Sequence, residues 1–337
     1  MQGARAERRS MVPTDLPAES LELDRVQRAA DVLSKEEIAT LRRKSPLRTW
    51  AMIAHCWGTI FATWAVCCIW TNPLTIALGV MIVGCRQLGL GIINHEAAHY
   101  LLFDDRRLND WVARWLVNRP MFGQSVDGYR RYHLEHHRHT QQPEDPDLVL
   151  SAPFPVTKGS FRRKVWRDLT GQTGWKQRSA LVRGHWKPDG APWFVKLDNV
   201  LRRFGPNLAI NAVFLGALTL AGHWYLYFLL WVLPSFTWEM LITRIRNIAE
   251  HAVVPDDDDR LRNTRTTLAG WLTRALVAPY WVNYHLEHHL LVSVPCYNLP
   301  RMHALLLEKG LGPRMEVRRS YAEVLAMATA KAEPLPA

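Results

Sequence analysis

Cysteine is scarce in this sequence, and its placement excludes several common kinds of site. Of the five cysteines in 337 residues, Cys296 is isolated, and Cys56, Cys67, Cys68 and Cys85 lie inside apolar blocks. None has the paired spacing of a zinc site, an iron–sulfur cluster or a disulfide framework. We therefore interpret all five as reduced residues that contribute to packing.

The chain also lacks segments that would indicate secretion or nucleic-acid binding. Its basic start is not followed by an apolar core, so no signal peptide is predicted. The net charge of +11 would suit nucleic acid, but the sequence has no folded basic module and no basic patch with interleaved aromatic residues. We therefore expect no nucleic-acid partner.

Positive charge is missing from the two shortest connections between apolar blocks, residues 71–73 and 221–223. Apart from Arg86, the lysines and arginines lie in the N-terminal arm, the long middle segment and the C-terminal segment. This asymmetry is typical of loops held on the cytoplasmic side of a membrane. A surplus of cations there also attracts those segments to anionic lipid headgroups.

Four apolar blocks, accompanied by 15 tryptophans, cover about residues 50–70, 74–94, 206–222 and 224–243. A membrane-spanning helix needs ~20 mostly apolar residues, and tryptophan favours the membrane–water boundary. Because the connection inside each pair of blocks is very short, the sequence predicts two transmembrane hairpins. Pro234 should kink the last of the four helices.

These patterns predict an all-α integral membrane protein with four transmembrane helices in two hairpins and a cytoplasmic helical cap. Residues 1–48 would form a cytoplasmic N-terminal arm, with a short helix capped by Ser34 and Glu37. Residues 49–310 would form the membrane-bound domain, and residues 311–337 a partly disordered C-terminal tail. Four crossings would place both termini, and the histidine clusters, on the cytoplasmic side.

Histidine is the most informative residue type in the chain. The word YHLEHH occurs twice and places its histidines at offsets 0, 3 and 4, which share one face of a helix. A third cluster reads HEAAH, and a fourth, NIAEH, ends in a single histidine. Such clusters suit a metal that prefers nitrogen ligands. The clustered residues are His95, His99, His133, His136, His137, Asn247, His251, His285, His288 and His289.

The remaining histidines stand outside any spaced pair or triplet, so we expect no metal-binding role for them. They are His55, His139, His185, His223 and His303. A ligating imidazole also needs an acceptor that orients its second nitrogen. Carboxylates close to the clusters are candidates for that role, and they are Glu96, Glu135, Asp145, Asp147, Glu250 and Glu287.

A zinc protease and a metal transporter or receptor are two kinds of function that could use such histidines. HEAAH matches the His-Glu-x-x-His pattern of zinc proteases, but a protease would leave the other seven clustered histidines unexplained. A metal transporter or receptor without chemistry would carry ionisable residues within its spans. Only Arg86 and Glu239 lie near the middle of an apolar block. Both alternatives are therefore less favoured.

The boxes at 95–99, 133–137 and 285–289, interleaved with two apolar hairpins, resemble those of the membrane-bound fatty acid desaturase superfamily. The resemblance covers about residues 45–310. It implies a di-iron centre ligated by the nine clustered histidines, with Asn247 reaching the metal through water, as in the acyl-CoA desaturases of that group. The family's first box often has a longer gap or an aspartate after the first histidine, so HEAAH leaves the subfamily open.

The resemblance also implies a reaction: O2-dependent removal of two hydrogens from a long acyl chain, forming a cis double bond, with two iron ions as cofactor. The chain has no haem-binding module, flavin fingerprint or cysteine cluster. Two electrons must then come from an external ferredoxin, rubredoxin or cytochrome b5. Related enzymes hydroxylate or ketolate lipids and carotenoids with the same centre, so a hydroxylase or ketolase stays an alternative.

Overall fold

The computed structural model describes residues 26–123 and 125–331, and within these ranges the chain is mostly helical. What the sequence predicts for residues 1–25 and 332–337, including the start of the arm and the end of the tail, lies outside the described residues. In the described ranges, extended structure is limited to one parallel pair of two-residue strands, β1 (Thr266–Thr267) and β2 (Val317–Arg318).

Sixteen α-helices follow one another along the described chain. They are α1 (Lys35–Leu41), α2 (Pro46–Ile69), α3 (Pro73–Ala98), α4 (Arg106–Val112), α5 (Val126–Arg138), α6 (Leu148–Ser151), α7 (Lys158–Leu169), α8 (Gln172–His185), α9 (Trp193–Leu220), α10 (Trp224–Tyr227), α11 (Leu233–Phe236), α12 (Trp238–His251), α13 (Trp271–Leu276), α14 (His285–Leu290), α15 (Leu299–Glu308) and α16 (Tyr321–Ala328). Wider π-helical turns follow α4 and α10, over Ala113–Asn118 and Phe228–Val232.

Helices α2 and α3 form the first predicted hairpin, and local chemistry fixes where each begins. The side-chain oxygen of Asn72 accepts hydrogen bonds from the backbone N–H groups of Leu74 and Thr75, at 3.0 and 3.1 Å. Pro73 follows at the first helical position, where its missing N–H costs nothing. Ser45 and Pro46 start α2 in the same way.

Within the described residues, three helical stretches are long and apolar enough to cross a membrane: α2, α3 and the run Trp224–His251. The predicted third span, 206–222, lies in the second half of α9, a 28-residue helix with Pro206 inside it. Asn207 and Asn211 dilute the apolar character of that half. Three spans therefore stand on length and composition, and the fourth crossing stays a prediction.

Asn211 shows why α9 carries a polar residue among apolar ones. It is 4% exposed, and its side-chain oxygen accepts from the Tyr227 hydroxyl at 3.0 Å and from the Trp231 indole N–H at 2.8 Å. Its side-chain nitrogen donates to the carbonyl of Pro120 at 3.0 Å. One amide thus joins α9 to α10, to the wide turn that follows α10 and to the loop before α5.

The run Trp224–His251 is interrupted near Pro234, as the sequence predicts. The helix widens over Phe228–Val232 and breaks at Thr237, whose φ of −121° and ψ of −84° are not helical. Pro234 has no N–H to donate to the preceding turn. The Leu230 carbonyl, which residue 234 would pair with in a regular helix, instead accepts from the Trp64 indole N–H at 3.3 Å. After this break, α12 begins at Trp238 and ends at His251.

The basic middle segment packs on α12 through ion pairs. The Arg244 guanidinium donates to both oxygens of the fully buried Asp168, at 2.5 and 2.8 Å. Arg178 of α8 lies 3.3 Å from Glu239. Glu239, which the sequence places near the middle of an apolar block, therefore has a cationic partner. Contact of this segment with lipid headgroups stays a prediction.

Residues 311–331 fold back onto α12. Strand β2 pairs with β1, and α16 packs against α12. Arg265, which is fully buried, donates to Glu316 at 2.9 Å and to the carbonyls of Ala249, Ala252 and Val253 at 3.2, 2.9 and 2.6 Å. Its guanidinium thus satisfies orphan carbonyls at the end of α12. The division into domains at residue 310 stays a prediction.

We expect Arg265→Leu to lower the free energy of unfolding by about 3–5 kcal/mol, because it leaves Glu316 and three carbonyls buried without their donor. The measurement is thermal and denaturant unfolding of the full chain in detergent. Arg202→Gln is the matched control, since its ion pair with Asp198 is exposed and such pairs contribute ~0–1 kcal/mol. Equal effects of the two substitutions would show that the buried guanidinium is not a structural clamp.

Candidate metal centre

The four histidine clusters all lie at or near helix ends on the same side of the molecule's core. His95 is near the end of α3, and His99 is the residue that follows it. The two YHLEHH words form most of α14 and the second half of α5, and His251 is the last residue of α12. The helical faces expected from the spacing are therefore present.

The structure brings all nine clustered histidines together in two groups. Within each group the candidate ligand atoms lie within 4.8 Å of one another. The first group contains His95, His99, His133, His137 and His288, and the second contains His136, His251, His285 and His289. The groups adjoin, because the ring centroids of His137 and His289 are 4.2 Å apart. That these residues bind metal stays a prediction.

Helix geometry explains how the members are divided. On α5, His133 and His137 are four residues apart and join the first group, while His136 joins the second. On α14 the division is reversed: His285 and His289 join the second group, and His288 joins the first. Residues four apart point in nearly the same direction, and the residue between them points to one side. Each helix therefore serves both groups.

Ring nitrogens face one another at the spacing of atoms that share an ion. The Nε2 atom of His137 lies 2.9 Å from Nε2 of His133 and 3.0 Å from Nε2 of His288. In the second group, the Nε2 atoms of His285 and His251 are 2.8 Å apart. Ligand nitrogens bound at ~2.1 Å to one ion lie at about such separations.

Several ring nitrogens in the groups have no hydrogen-bond partner, which tests whether a metal fits. The Nε2 atoms of His95, His99 and His289 are buried and have no partner among the described residues. A buried polar atom left without a partner costs ~1–3 kcal/mol. An ion bound by these lone pairs would remove that cost, and imidazole is a suitable ligand for iron. The donor set therefore fits the predicted irons.

Burial keeps these imidazoles in the neutral form that a metal requires. Desolvation, followed by the neighbouring His95, lowers the pKa of His99 to about 3. Desolvation and the neighbouring histidines likewise hold the pKa values of His133, His285 and His288 well below the ordinary range. At neutral pH these rings therefore carry a free lone pair rather than a second proton.

Three ligating candidates have an acceptor for the other ring nitrogen. Nδ1 of His136 lies 2.8 Å from a carboxylate oxygen of the buried Asp145, and Nδ1 of His95 lies 3.4 Å from Glu96. Nδ1 of His289 lies 3.1 Å from the hydroxyl of Thr140. Asp145 and Glu96 were candidates from the sequence. Thr140 was not, because nothing in the spacing shows that the residue three positions after His137 turns toward the box at 285–289.

The other candidate carboxylates have different partners. Glu287 accepts from Thr266 and from His303, both at 2.5 Å. Glu250 pairs with Arg246 at 3.0 Å and lies 3.7 Å from Nε2 of His285. Asp147 accepts from the Tyr132 hydroxyl and also lies 3.8 Å from Nδ1 of His136, so it borders the second group. Glu135 pairs with Arg138 and His139, which lie outside both groups.

Asn247 lies beside a small polar cavity at the edge of the second group. The cavity has a volume of about 50 Å³ and is lined by Asn247, His136, His251 and His285 among others. A polar space of this size can hold a water molecule. The Asn247 side-chain oxygen accepts from Arg246 at 3.2 Å. The position is compatible with the predicted contact through water, which stays a prediction.

The five histidines without a predicted metal role lie outside both groups. Each has another neighbour: His55 the Tyr280 hydroxyl, His139 Glu135, His185 the Leu181 carbonyl, His223 the Tyr225 hydroxyl and His303 Glu287.

The histidine groups lie in a part of the chain that is similar to a known protein family. A family profile described as fatty acid desaturase matches residues 70–319 of this chain. The matched range contains the three boxes, Asn247 and His251. It also contains α3 and the run Trp224–His251, two of the three stretches able to cross a membrane.

Curated relatives are similar over most of their length. A dihydrorhizobitoxine desaturase of Bradyrhizobium elkanii is 24% identical, over 77% of this chain and 74% of the relative. A beta-carotene ketolase of Paracoccus sp. (strain PC1) is 26% identical, over 74% and 89%. A sphingolipid delta(4)-desaturase/C4-monooxygenase of Homo sapiens is 25% identical, over 88% and 92%.

Replacing one clustered histidine should release metal, whereas replacing an isolated one should not. We expect His288→Ala to lower the affinity for iron by at least ~10–100-fold, which is the loss typical when a residue that only hydrogen-bonds a metal ligand is replaced. His223→Ala should keep wild-type iron, because its ring contacts Tyr225 away from both groups. The measurement is iron per chain in purified protein that elutes as one species. Equal iron loss in both variants would refute the division of the histidines.

Asp145, the carboxylate next to Nδ1 of His136, gives a second prediction. We expect Asp145→Asn to increase the rate of iron loss to a chelator by about tenfold, because a neutral amide orients and polarises the ring less than a carboxylate. Glu135→Gln is the control, since it removes an exposed carboxylate from α5, the helix that carries His136. If the two variants release iron at the same rate, Asp145 does not support the centre.

Proposed function

The chain belongs to the fatty acid desaturase family, as its histidine boxes predict, and from this premise we propose that it is an O2-dependent, membrane-bound di-iron desaturase. It would introduce a cis double bond into a long acyl chain. That the chain is an oxidoreductase follows from the family. The acyl substrate, two irons and the use of dioxygen are the proposal.

One observation carries this proposal: two adjoining groups of five and four histidines, assembled from α3, α5, α12 and α14. A zinc protease would need one such group, not two. A transporter would place its ligands along a path through the spans, whereas these groups lie at the ends of helices. Two nitrogen-rich groups side by side favour a pair of redox-active ions.

The chain's own residues would hold, orient and shield such a pair. When bound, two irons would supply the activation of dioxygen that removal of hydrogen from an unactivated carbon requires. The nine imidazoles would hold them, with Asn247 contributing through water. Asp145, Glu96 and Thr140 would fix the orientation of three rings. Because eight of the nine rings are buried, bulk water is largely excluded.

The charge pattern and the helices together support a placement in the bilayer. We infer four crossings: α2, α3, the second half of α9, and the first part of the run Trp224–His251. Both termini and the histidine groups would then lie on the cytoplasmic side, beneath a cap formed by the remaining helices. Support for this orientation comes from the absence of lysine and arginine in the two short hairpin connections.

A partly open cavity of about 240 Å³ offers space for part of an acyl chain. It lies between the wide turn after α10, α8 and α9, and its lining includes Gln87, Met121, Phe204 and Trp231. Gln87 is two helical turns before His95 on α3, which corresponds to roughly 12 Å. We infer that a lipid tail held there extends toward the first histidine group.

Electrons would come from an external ferredoxin, rubredoxin or cytochrome b5. Exposed arginines next to the segment that follows α14 suit an acidic carrier: Arg42 donates to Ser293 at 2.6 Å and Arg48 to Asn298 at 3.4 Å. From this segment the N–H of Cys296 donates to Glu96 at 2.8 Å. Glu96 in turn contacts His95, so a short polar route joins this surface to the first group.

A second candidate function is hydroxylation or ketolation of a lipid or carotenoid at the same centre. Two relatives support this alternative: one is named a ketolase, and another is named both a desaturase and a monooxygenase. The two outcomes differ in how the substrate lies relative to the oxidant. The histidine geometry is compatible with both.

Expression of the chain in a host, followed by lipid and pigment profiling by mass spectrometry, separates these functions. Desaturation predicts a product two mass units lighter than its precursor, with a cis double bond. Hydroxylation or ketolation predicts a product that contains one more oxygen. The His288→Ala chain is the control and should form neither. A host with unchanged lipids and pigments, despite iron-loaded protein and a supplied electron donor, would argue against both.

A further inference from the structure

A long groove runs along the outer surface of the α2–α3 hairpin and away from the histidine groups. Its apolar half has a volume of about 580 Å³ and is lined by small and apolar residues, including Gly58, Ala62 and Leu78. A second half of about 510 Å³ continues it toward α13. The halves share His55, Thr59 and Ile82 in their linings, so they form one groove.

The second half of the groove contains a buried cation. Arg86 is 5% exposed, and its guanidinium donates to the Ala275 carbonyl at 3.0 Å and to the Cys85 sulfur at 3.2 Å. It also lies over the ring of Tyr280 and 3.5 Å from Nδ1 of His55. Over residues 26–123 and 125–331, no carboxylate pairs with it. An arginine placed so deep in a span without an anion is expensive.

Arg86 lies in the half of the α3 span nearer His95, about two thirds of the way across a hydrocarbon core that is ~30 Å thick. It lies roughly 20 Å from Pro73, at a rise of ~1.5 Å per residue. Its partner Ala275 belongs to α13, whose Trp271 and Leu272 are 76% and 53% exposed, as in a helix lying at a membrane surface. Arg274 of the same helix also lines the groove. The groove therefore has a cationic end at the surface and an apolar end within the span.

We propose that this groove binds one anionic phospholipid from the cytoplasmic leaflet, with its phosphate at Arg86 and Arg274 and one acyl tail along the small residues of α2. The inference rests on the membrane placement proposed above. A phosphate would supply the anion that the buried guanidinium lacks, and arginine suits phosphate geometry. Because none of the nine clustered histidines lines the groove, the lipid is a bound companion rather than the substrate.

Two substitutions test the two ends of the groove separately. Arg86→Gln removes the cation, and Arg86→Lys keeps it. Gly58→Leu fills the apolar end: a Cβ atom at Gly58 meets nothing within 4 Å, and leucine favours a helix more than glycine does. Gly216→Leu in α9 is the matched control, because that position is equally open and lies outside the groove.

The measurement is electron paramagnetic resonance of the full chain in phosphatidylcholine vesicles with spin-labelled phosphatidylglycerol or phosphatidylcholine. We expect wild type to restrict the anionic lipid preferentially. Arg86→Gln should reduce that preference about fivefold, the effect of ~1 kcal/mol per cation, and Arg86→Lys should keep most of it. Gly58→Leu should reduce the restricted fraction of both lipids, and Gly216→Leu should not.

Equal restriction of the two lipids by wild type would overturn the proposal. So would an unchanged preference in folded Arg86→Gln, or, if that variant does not fold, an unchanged restricted fraction in Gly58→Leu. Absence of any motionally restricted lipid would instead contradict the membrane placement on which the proposed function rests. The two failures are therefore distinguishable.

Discussion

Neutral imidazoles crowded into a space that largely excludes bulk water are the constraint on which the rest of this structure depends. Each ring carries a lone pair that bulk water reaches poorly, and several of these nitrogens have no protein partner among the described residues. Protonation would not relieve the crowding, because desolvation and the neighbouring rings lower the pKa of residues such as His288. An electron-poor ion held between the rings, as proposed, would relieve this cost.

Much of the remaining fold can be understood as support for that crowding. His251 ends α12, and the Arg265 guanidinium fixes the carbonyls of that helix end. Asp168 and Arg244 join the same helix to the middle segment. Asp145 and Thr140 come from the turn after α5 and orient His136 and His289, which are both members of the second group. Rigid attachment matters here, because ligand geometry tolerates little displacement.

The sequence predicted the parts of this site that depend on local spacing. Offsets of 0, 3 and 4 predict one helical face, and α5 and α14 have it. The division of each triplet between two groups was not predicted, because it depends on how α3 and α12 approach. Thr140 and Arg265 were missed for the same reason. Their partners are distant in sequence, and neither residue belongs to a recognisable motif.

The spans were predictable to the extent that composition decides them. The blocks of α2 and α3 are apolar throughout, apart from Arg86 and Gln87, and both helices have lengths suited to a crossing. The third apolar block, residues 206–222, is ambiguous because it contains Asn211. By composition a polar residue there suggests a loop, whereas in the structure Asn211 has a packing role. Likewise, the sequence predicts a tail for residues 311–331, because β2 and α16 are short and depend on α12 for their packing.

Both histidine groups draw members from α14, which lies near the end of the chain. During synthesis, α3 and α5 emerge early with rings that have no complete set of companions. The first group is complete only once residue 288 has been synthesised, the second only once residue 289 has, and the Arg265–Glu316 contact forms later still. In the proposed function, ion capture would therefore be a late event in the biogenesis of this protein, after its long apolar helices have been synthesised.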